Sequence, residues 1–301
     1  MTGLWWRALQ RVAAGFSPRI GWRVEARHCT LQHPPYAIVL LFALGALTAA
    51  QAPSGSKAKK IVDDAVAALG GDKFLNMEDR IESGRAYSFY RESLAGLSVA
   101  TIYTRYLTVA EGKSGEELGV RERQAFGKNE DSGFVLFRED GGWDVTFRGA
   151  REVPKDRLDR YRDSTLHNIF YILRMRLNEP GLTFDYKGFD VVENQPVEIV
   201  DIVDSQNRSV TVYFHQSTKL PVRQMFVWRD PQTKERNEEV TRFARYQDSS
   251  GVQWPHQITR ERNGERTYQI FSESVVINRD LTDSIFAVPN GPATKTNVKK
   301  K

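Results

Sequence analysis

From residue 181 to residue 289 apolar and polar positions change places in short runs, each closed by a nameable turn. Runs at 197–203, 210–215, 222–229, 238–246, 253–262 and 267–278 are rich in Val, Ile, Tyr, Phe and Thr. Between them stand Asp204-Ser205-Gln206-Asn207, Gln216-Ser217-Thr218-Lys219, Asp230-Pro231-Gln232-Thr233, Asp248-Ser249-Ser250-Gly251 and Asn263-Gly264. Such spacing predicts an antiparallel meander. Asn263-Gly264 is the sharpest signal, because both residues accept the positive φ of a two-residue hairpin turn. A second strand set precedes it, at 80–92, 97–108, 119–125, 134–139 and 143–148, with the first hairpin turning at Ser93-Leu94-Ala95-Gly96.

Two segments carry a helical period instead. In 57–69, Ala58, Ile61, Val62, Ala65, Val66 and Leu69 fall on one stripe, and Gly70-Gly71 supplies the stop. In 154–177 Pro154 suits the first turn and Pro180-Gly181 the end. There Leu158, Tyr161, Thr165, Ile169, Ile172 and Leu173 form one stripe, and Leu166, Phe170, Met175 and Leu177 add a second side. A helix with two apolar sides touches more than one surface. It is either core packing or a lid over an apolar cavity.

Several strands are apolar on both faces. Phe134–Phe137 is one, and 222–229 sets Val222, Phe226 and Trp228 against Met225 and Val227. An antiparallel sheet with one wet face would alternate cleanly. The expected fold is therefore mostly β with some α: a long sheet curved around helices on its concave face, with the charged strands at 236–245 and 260–266 turned to water.

Composition alters this picture at the ends of the chain. The net charge is +5, but residues 1–52 hold five Arg against one Glu, and residues 291–301 hold four Lys. The body, 53–290, carries 34 basic and 37 acidic residues, which removes the electrostatic warrant for nucleic-acid binding. Residues 35–50 form an uncharged apolar run of about 15 residues followed by Ala50-Gln51-Ala52. That run is short for a membrane span and fits a secretory signal cleaved after Ala52, although its basic leader is unusually long. An uncleaved anchor is the alternative. The expected organisation is thus a signal and leader at 1–52, one domain at 53–290 and a basic tail at 291–301. The single cysteine, Cys29, precedes the expected cleavage, so the exported chain would have no disulfide or thiol chemistry.

Candidate chemistry is sparse. His167, His215 and His256 are the histidines of the body, and no His-x-x-x-His or Cys pattern of metal-ligand spacing exists, so a transition-metal site is not expected. No nucleophile elbow, phosphate loop or dinucleotide fingerprint is present. No catalytic residues, metal or cofactor are expected, and binding in a shaped apolar space becomes the default.

The first helix ends in Ala67-Ala68-Leu69-Gly70-Gly71. With it stand Leu220-Pro221-Val222, Phe243-Ala244-Arg245-Tyr246, Val252-Gln253-Trp254-Pro255 and the closing Asn-x-x-Leu-x-Asp-x-x-Phe of residues 278–286. This pattern resembles the outer-membrane lipoprotein-sorting superfamily, the periplasmic lipoprotein carriers of the LolA/LolB type, over about 57–290. The resemblance implies an incomplete antiparallel barrel of about 11 strands, with helices plugging its mouth and acyl chains between the two. It makes Ile61, Val62, Ala65, Val66, Ile169, Phe170 and Leu173 helix-side wall candidates. Tyr213, Phe226, Trp228 and Trp254 are the strand-side ones. It implies a periplasmic, non-enzymatic binder or carrier of a lipid or lipoprotein. The alternative is an envelope regulatory or scaffold protein that binds a protein partner through the same fold.

Overall fold

The computed structural model describes residues 54–110, 117–230 and 233–289. The expected signal and basic tail lie outside them. Helix α1 (Ser54–Leu69) and the single turn α2 (Asp72–Leu75) lead into strands β1 (Asp79–Tyr90), β2 (Ser93–Tyr106), β3 (Val120–Phe126), β4 (Gly133–Arg138), β5 (Gly141–Thr146) and β6 (Gly149–Glu152). A helical crossover follows: α3 (Lys155–Leu166), the short α4 (Ile169–Tyr171) and a π-helical turn, Ile172–Arg176. Then come β7 (Thr183–Val192), β8 (Gln195–Val203), β9 (Ser209–His215), β10 (Pro221–Arg229), β11 (Arg236–Ser249), β12 (Val252–Arg262) and β13 (Glu265–Ile277), and a 3-10 turn at Asp283–Phe286.

The thirteen strands of the described residues form one sheet, in the order β6-β5-β4-β3-β2-β1-β13-β12-β11-β10-β9-β8-β7. The chain enters at the middle, runs out to one edge, crosses through the helices to the other edge, and returns until β13 pairs with β1. β6 and β7 do not pair, so the barrel stays open. The observed count exceeds the expected eleven because β6 and β7 lack the long β-branched runs of the other strands.

Four hairpins close on two successive residues with positive φ: Arg91-Glu92, Glu193-Asn194, Ser250-Gly251 and Asn263-Gly264. Only the last two carry a glycine. The first corrects the expected turn at 93–96: β2 already begins at Ser93, and that stretch holds a register shift opposite Ser88/Phe89.

The stripe of α1 is buried as its spacing predicts. Its end is fixed by the Gly71 N–H, which donates to the Val66 carbonyl five residues back (2.9 Å). Gly70, at φ 127°, lies so close to the β11–β12 turn that a Cβ would stand 2.4 Å from the Gly251 carbonyl oxygen.

Both faces of β4 are covered, which accounts for its two-sided apolarity. On the inner, helix-bearing face Val135 and Phe137 pack with Leu158 and Tyr161 of α3, and Phe137 stacks on Tyr161 at 3.7 Å. On the outer face Phe134 and Leu136 pack with Leu281 and Phe286. The closing motif is thus a structural plug. Buried Asp79 accepts from the Arg279 and Leu281 N–H groups (2.7 and 2.9 Å), and Asp283 pairs with Arg105 and Arg121.

The expected single helix over 154–177 is broken. Asn168 leaves helical geometry and its side chain caps the Phe170 N–H (2.9 Å). The Gln224 side chain of β10 takes the Ile169 N–H (2.9 Å). Two orphaned helix-start donors are satisfied at that point, so the chain can turn and press Ile169–Arg176 inward.

Candidate functional site

The inner face gathers one large apolar cluster under α1 and the second half of the crossover. Nine of the eleven wall candidates belong to it: Ile61, Val62, Ala65, Val66, Ile169, Phe170, Leu173, Phe226 and Trp254. Trp228 packs against its margin and donates through Nε1 to Glu239 (3.1 Å). Tyr213 is not brought there. Its neighbours Val212 and Phe214 point into the cluster, so alternation sends it to the outer face, where the Arg223 guanidinium lies 5.0 Å from its ring.

Phe170 is the centre of the contact between crossover and sheet. Its ring meets Phe243 edge-on at 4.9 Å and Trp254 at a tilt, 4.8 Å between centroids. The space between helices and strands is filled by the protein's own side chains here. A groove of about 310 Å³ opens beside it, at the break in the crossover, lined by Asp163, His167, Arg208, Thr211, Phe226 and Trp228 among others. It sits at the lower end of the usual ligand-pocket range of about 300–1,000 Å³.

Polar contacts hold the crossover at points sequence reasoning did not find. Tyr171 Oη accepts from the Gly119 N–H (2.8 Å), and Arg174 Nε donates to the Met77 carbonyl (3.2 Å). Arg176, 1% exposed, is the strongest tie. It pairs with Glu179 (2.7 Å) and Asp204 (2.6 Å) and donates to the Leu166 carbonyl (2.8 Å), while Arg208 also bonds Asp204 (2.6 Å). One buried guanidinium thus joins the end of α3, the end of the crossover and the β8–β9 turn. The signal available in the sequence was an arginine inside an apolar run, with Asp204 at the head of a turn.

Burial alone would raise the Asp204 pKa, but the Arg176 and Arg208 side chains and the Arg208 backbone N–H outweigh it and leave it below 3.8, its ordinary value. The unfolded chain therefore binds a proton that the folded one resists. The network's contribution is present in full above about pH 4 and is lost as pH falls through the folded value. Thermal melts at pH 6, 4 and 3 should show a decline in wild type that is shallower in Asp204→Asn.

The three histidines have separate structural surroundings. His167 stacks on Phe226 at 4.3 Å and its Nδ1 lies 2.8 Å from the Asp163 carbonyl. His215 accepts two N–H groups of its own turn. His256 Nδ1 lies 2.9 Å from the Ser272 carbonyl. Among the described residues no group of three or more His, Cys, Asp or Glu could hold a metal ion. No helix among them is long and apolar enough to cross a membrane.

No protein-family model and no curated protein sequence matches the chain. Solved structures do. A DUF1329 family protein from Desulfovibrio piger is similar at 15% identity and a TM-score of 0.50, over 76% of this chain and 97% of that one. A putative outer membrane lipoprotein-sorting protein domain from Vibrio parahaemolyticus gives 11% and 0.47, over 77% and 97%. A LolA superfamily protein from Nitrosomonas europaea gives 11% and 0.44, over 76% and 97%. The likeness to the first is one of fold.

Proposed function

We propose that this chain is an exported, non-enzymatic binder or carrier of an acylated hydrophobic ligand, a lipid or a lipoprotein. The ligand would lie on the inner face of the sheet, where the crossover now packs. The observation that supports this most is the convergence of α1, the crossover and β8–β13 on one apolar cluster, closed by a segment that is broken at Asn168 and π-helical from Ile172. π-Helical turns are costly and recur at functional sites. Buried methylenes contribute about 0.8 kcal/mol each, so a chain of about a dozen would gain about 10 kcal/mol gross. That is of the same order as the cost of displacing Phe170 and Leu173, about 5–10 kcal/mol together. Export with cleavage after Ala52, and a periplasmic location, belong to the same reading.

Native mass spectrometry of protein purified from an exporting host's envelope tests it. A population carrying acyl-lipid mass is expected. Protein that is uniformly ligand-free, and that also fails to take up the apolar dye N-phenyl-1-naphthylamine, would overturn it.

A protein-binding scaffold is favoured by one feature, the far half of edge strand β7, beyond the Tyr186 N–H that Ser54 takes, where Phe189 and Val191 are 76% and 64% exposed. Such an edge can template an added strand. Partner capture that depends on Phe189 and not on Phe170 would select this second reading.

A further inference from the structure

Beneath Phe170 the apolar cluster gives way to a network of buried polar groups. The Arg80 guanidinium lies over the Trp254 ring, 4.0 Å from its centroid, and its Nη2 donates to Thr104 Oγ1 (3.0 Å). Arg80 Nε faces Glu82 at 3.6 Å, close enough for ion pairing and too far for a hydrogen bond. Glu82 in turn accepts the Ser272 hydroxyl, and the Ser272 carbonyl is bonded by His256. Each member is almost wholly buried: Arg80 8%, Glu82 2%, Trp254 3%, His256 6% exposed.

Three nitrogens of this network have no hydrogen-bond partner: Arg80 Nε, Trp254 Nε1 and His256 Nε2. Their chemistry is complementary. Arg Nε and Trp Nε1 can only donate. The Ser272 carbonyl requires a proton on His256 Nδ1, which leaves Nε2 an acceptor when the ring is neutral and a donor when it is charged. Trp254 and His256 are two apart on β12, so they share a face about 7 Å apart. The large majority of buried side-chain polar atoms are paired in folded proteins, and two donors left over within one buried network are the atoms that an acceptor on a ligand would satisfy.

We infer that the Arg80 and Trp254 N–H groups, with His256 at their margin, form a subsite for the acyl carbonyl oxygen of the ligand, whether it belongs to a free carboxylate or to an ester. This rests on the carrier reading and locates the head of the chain within it. Phe170 covers Trp254, so the segment that must leave to admit an acyl chain is the one that uncovers its polar anchor. The tail would then replace Phe170 against Phe243, on the apolar side of the same cluster. A surface built around donors discriminates strongly against a ligand lacking the acceptor.

The test titrates the full chain with three probes: myristate, monomyristoylglycerol, and N-phenyl-1-naphthylamine, which has no carbonyl. Trp254→Phe removes the indole N–H and Arg80→Lys removes Nε–H while keeping the charge beside Glu82. Each should weaken at least one carbonyl probe five- to tenfold and leave the dye within twofold. Myristate alone being weakened would assign the subsite to free carboxylates, and the ester alone to acylated lipids. In wild type the Trp254 indole N–H resonance should move downfield with the carbonyl probe and stay put with the dye. This measurement does not depend on how well a variant folds. Equal weakening of all three probes together with a static resonance would reduce the residues to packing and overturn the inference. Dye binding without binding of either carbonyl probe would overturn the subsite and leave the carrier reading standing. Failure of all three probes would overturn the carrier reading itself.

Discussion

Replacing Arg176 with Met is expected to destabilise the fold by about 3–5 kcal/mol, the usual cost of removing one partner from a buried ion pair. Glu179 and Asp204 are both nearly inaccessible, and the Leu166 carbonyl loses its donor as well. Arg208 can still neutralise Asp204, so what the substitution removes outright is the Arg176–Glu179 pair. At about 2–4 °C per kcal/mol for a domain of this size, the midpoint of a thermal melt should drop by about 10 °C. Adding Glu179→Gln should recover part of that loss, because a buried neutral amide tolerates the loss of the guanidinium better than a carboxylate does. A double-mutant cycle over Arg176 and Glu179 measures this coupling. Additive losses would show that the guanidinium acts by packing alone.

Phe170→Ala is expected to split stability from binding. The ring is buried between Phe243 and Trp254, and truncation of a buried phenylalanine costs about 3–5 kcal/mol. In an ordinary core that would be its whole effect. Here the vacated volume lies where an acyl chain is proposed to sit, so the variant should melt earlier and bind N-phenyl-1-naphthylamine at least tenfold more tightly than wild type. Removing the residue also removes the work of displacing it. A thermal loss with unchanged dye affinity would make Phe170 a core residue only.

The sequence displayed the strand-rich frame because most strands declare themselves by β-branched and aromatic runs ending in Asx, Gly or Pro turns. Arg91-Glu92 and Glu193-Asn194 escaped because positive φ there is imposed by the pairing of long strands and not by residue type. The break at Asn168 was legible in principle, as an N-cap residue directly before Ile169, but a continuous apolar stripe across it favoured one helix. The inward positions on α1 were readable because helical period places them on one face, whereas in the crossover that period put Phe170 on a second side from Ile169 and Leu173. Tyr213 was misplaced for want of the register that fixes which face of β9 is inside. The buried polar network from Arg80 to His256 was invisible for another reason. Its members are distant in sequence and meet only when β1 pairs with β13 and β13 with β12.

The most direct test of the central claim is amide hydrogen exchange over residues 167–177, with and without saturating myristate or, where myristate does not bind, monomyristoylglycerol. If the crossover gates the inner face, exchange in this segment should change strongly on binding, together with β12 around Trp254, while the outer-face plug at 281–286 stays as it was. Ligand binding that leaves 167–177 and β12 unaltered would contradict the account.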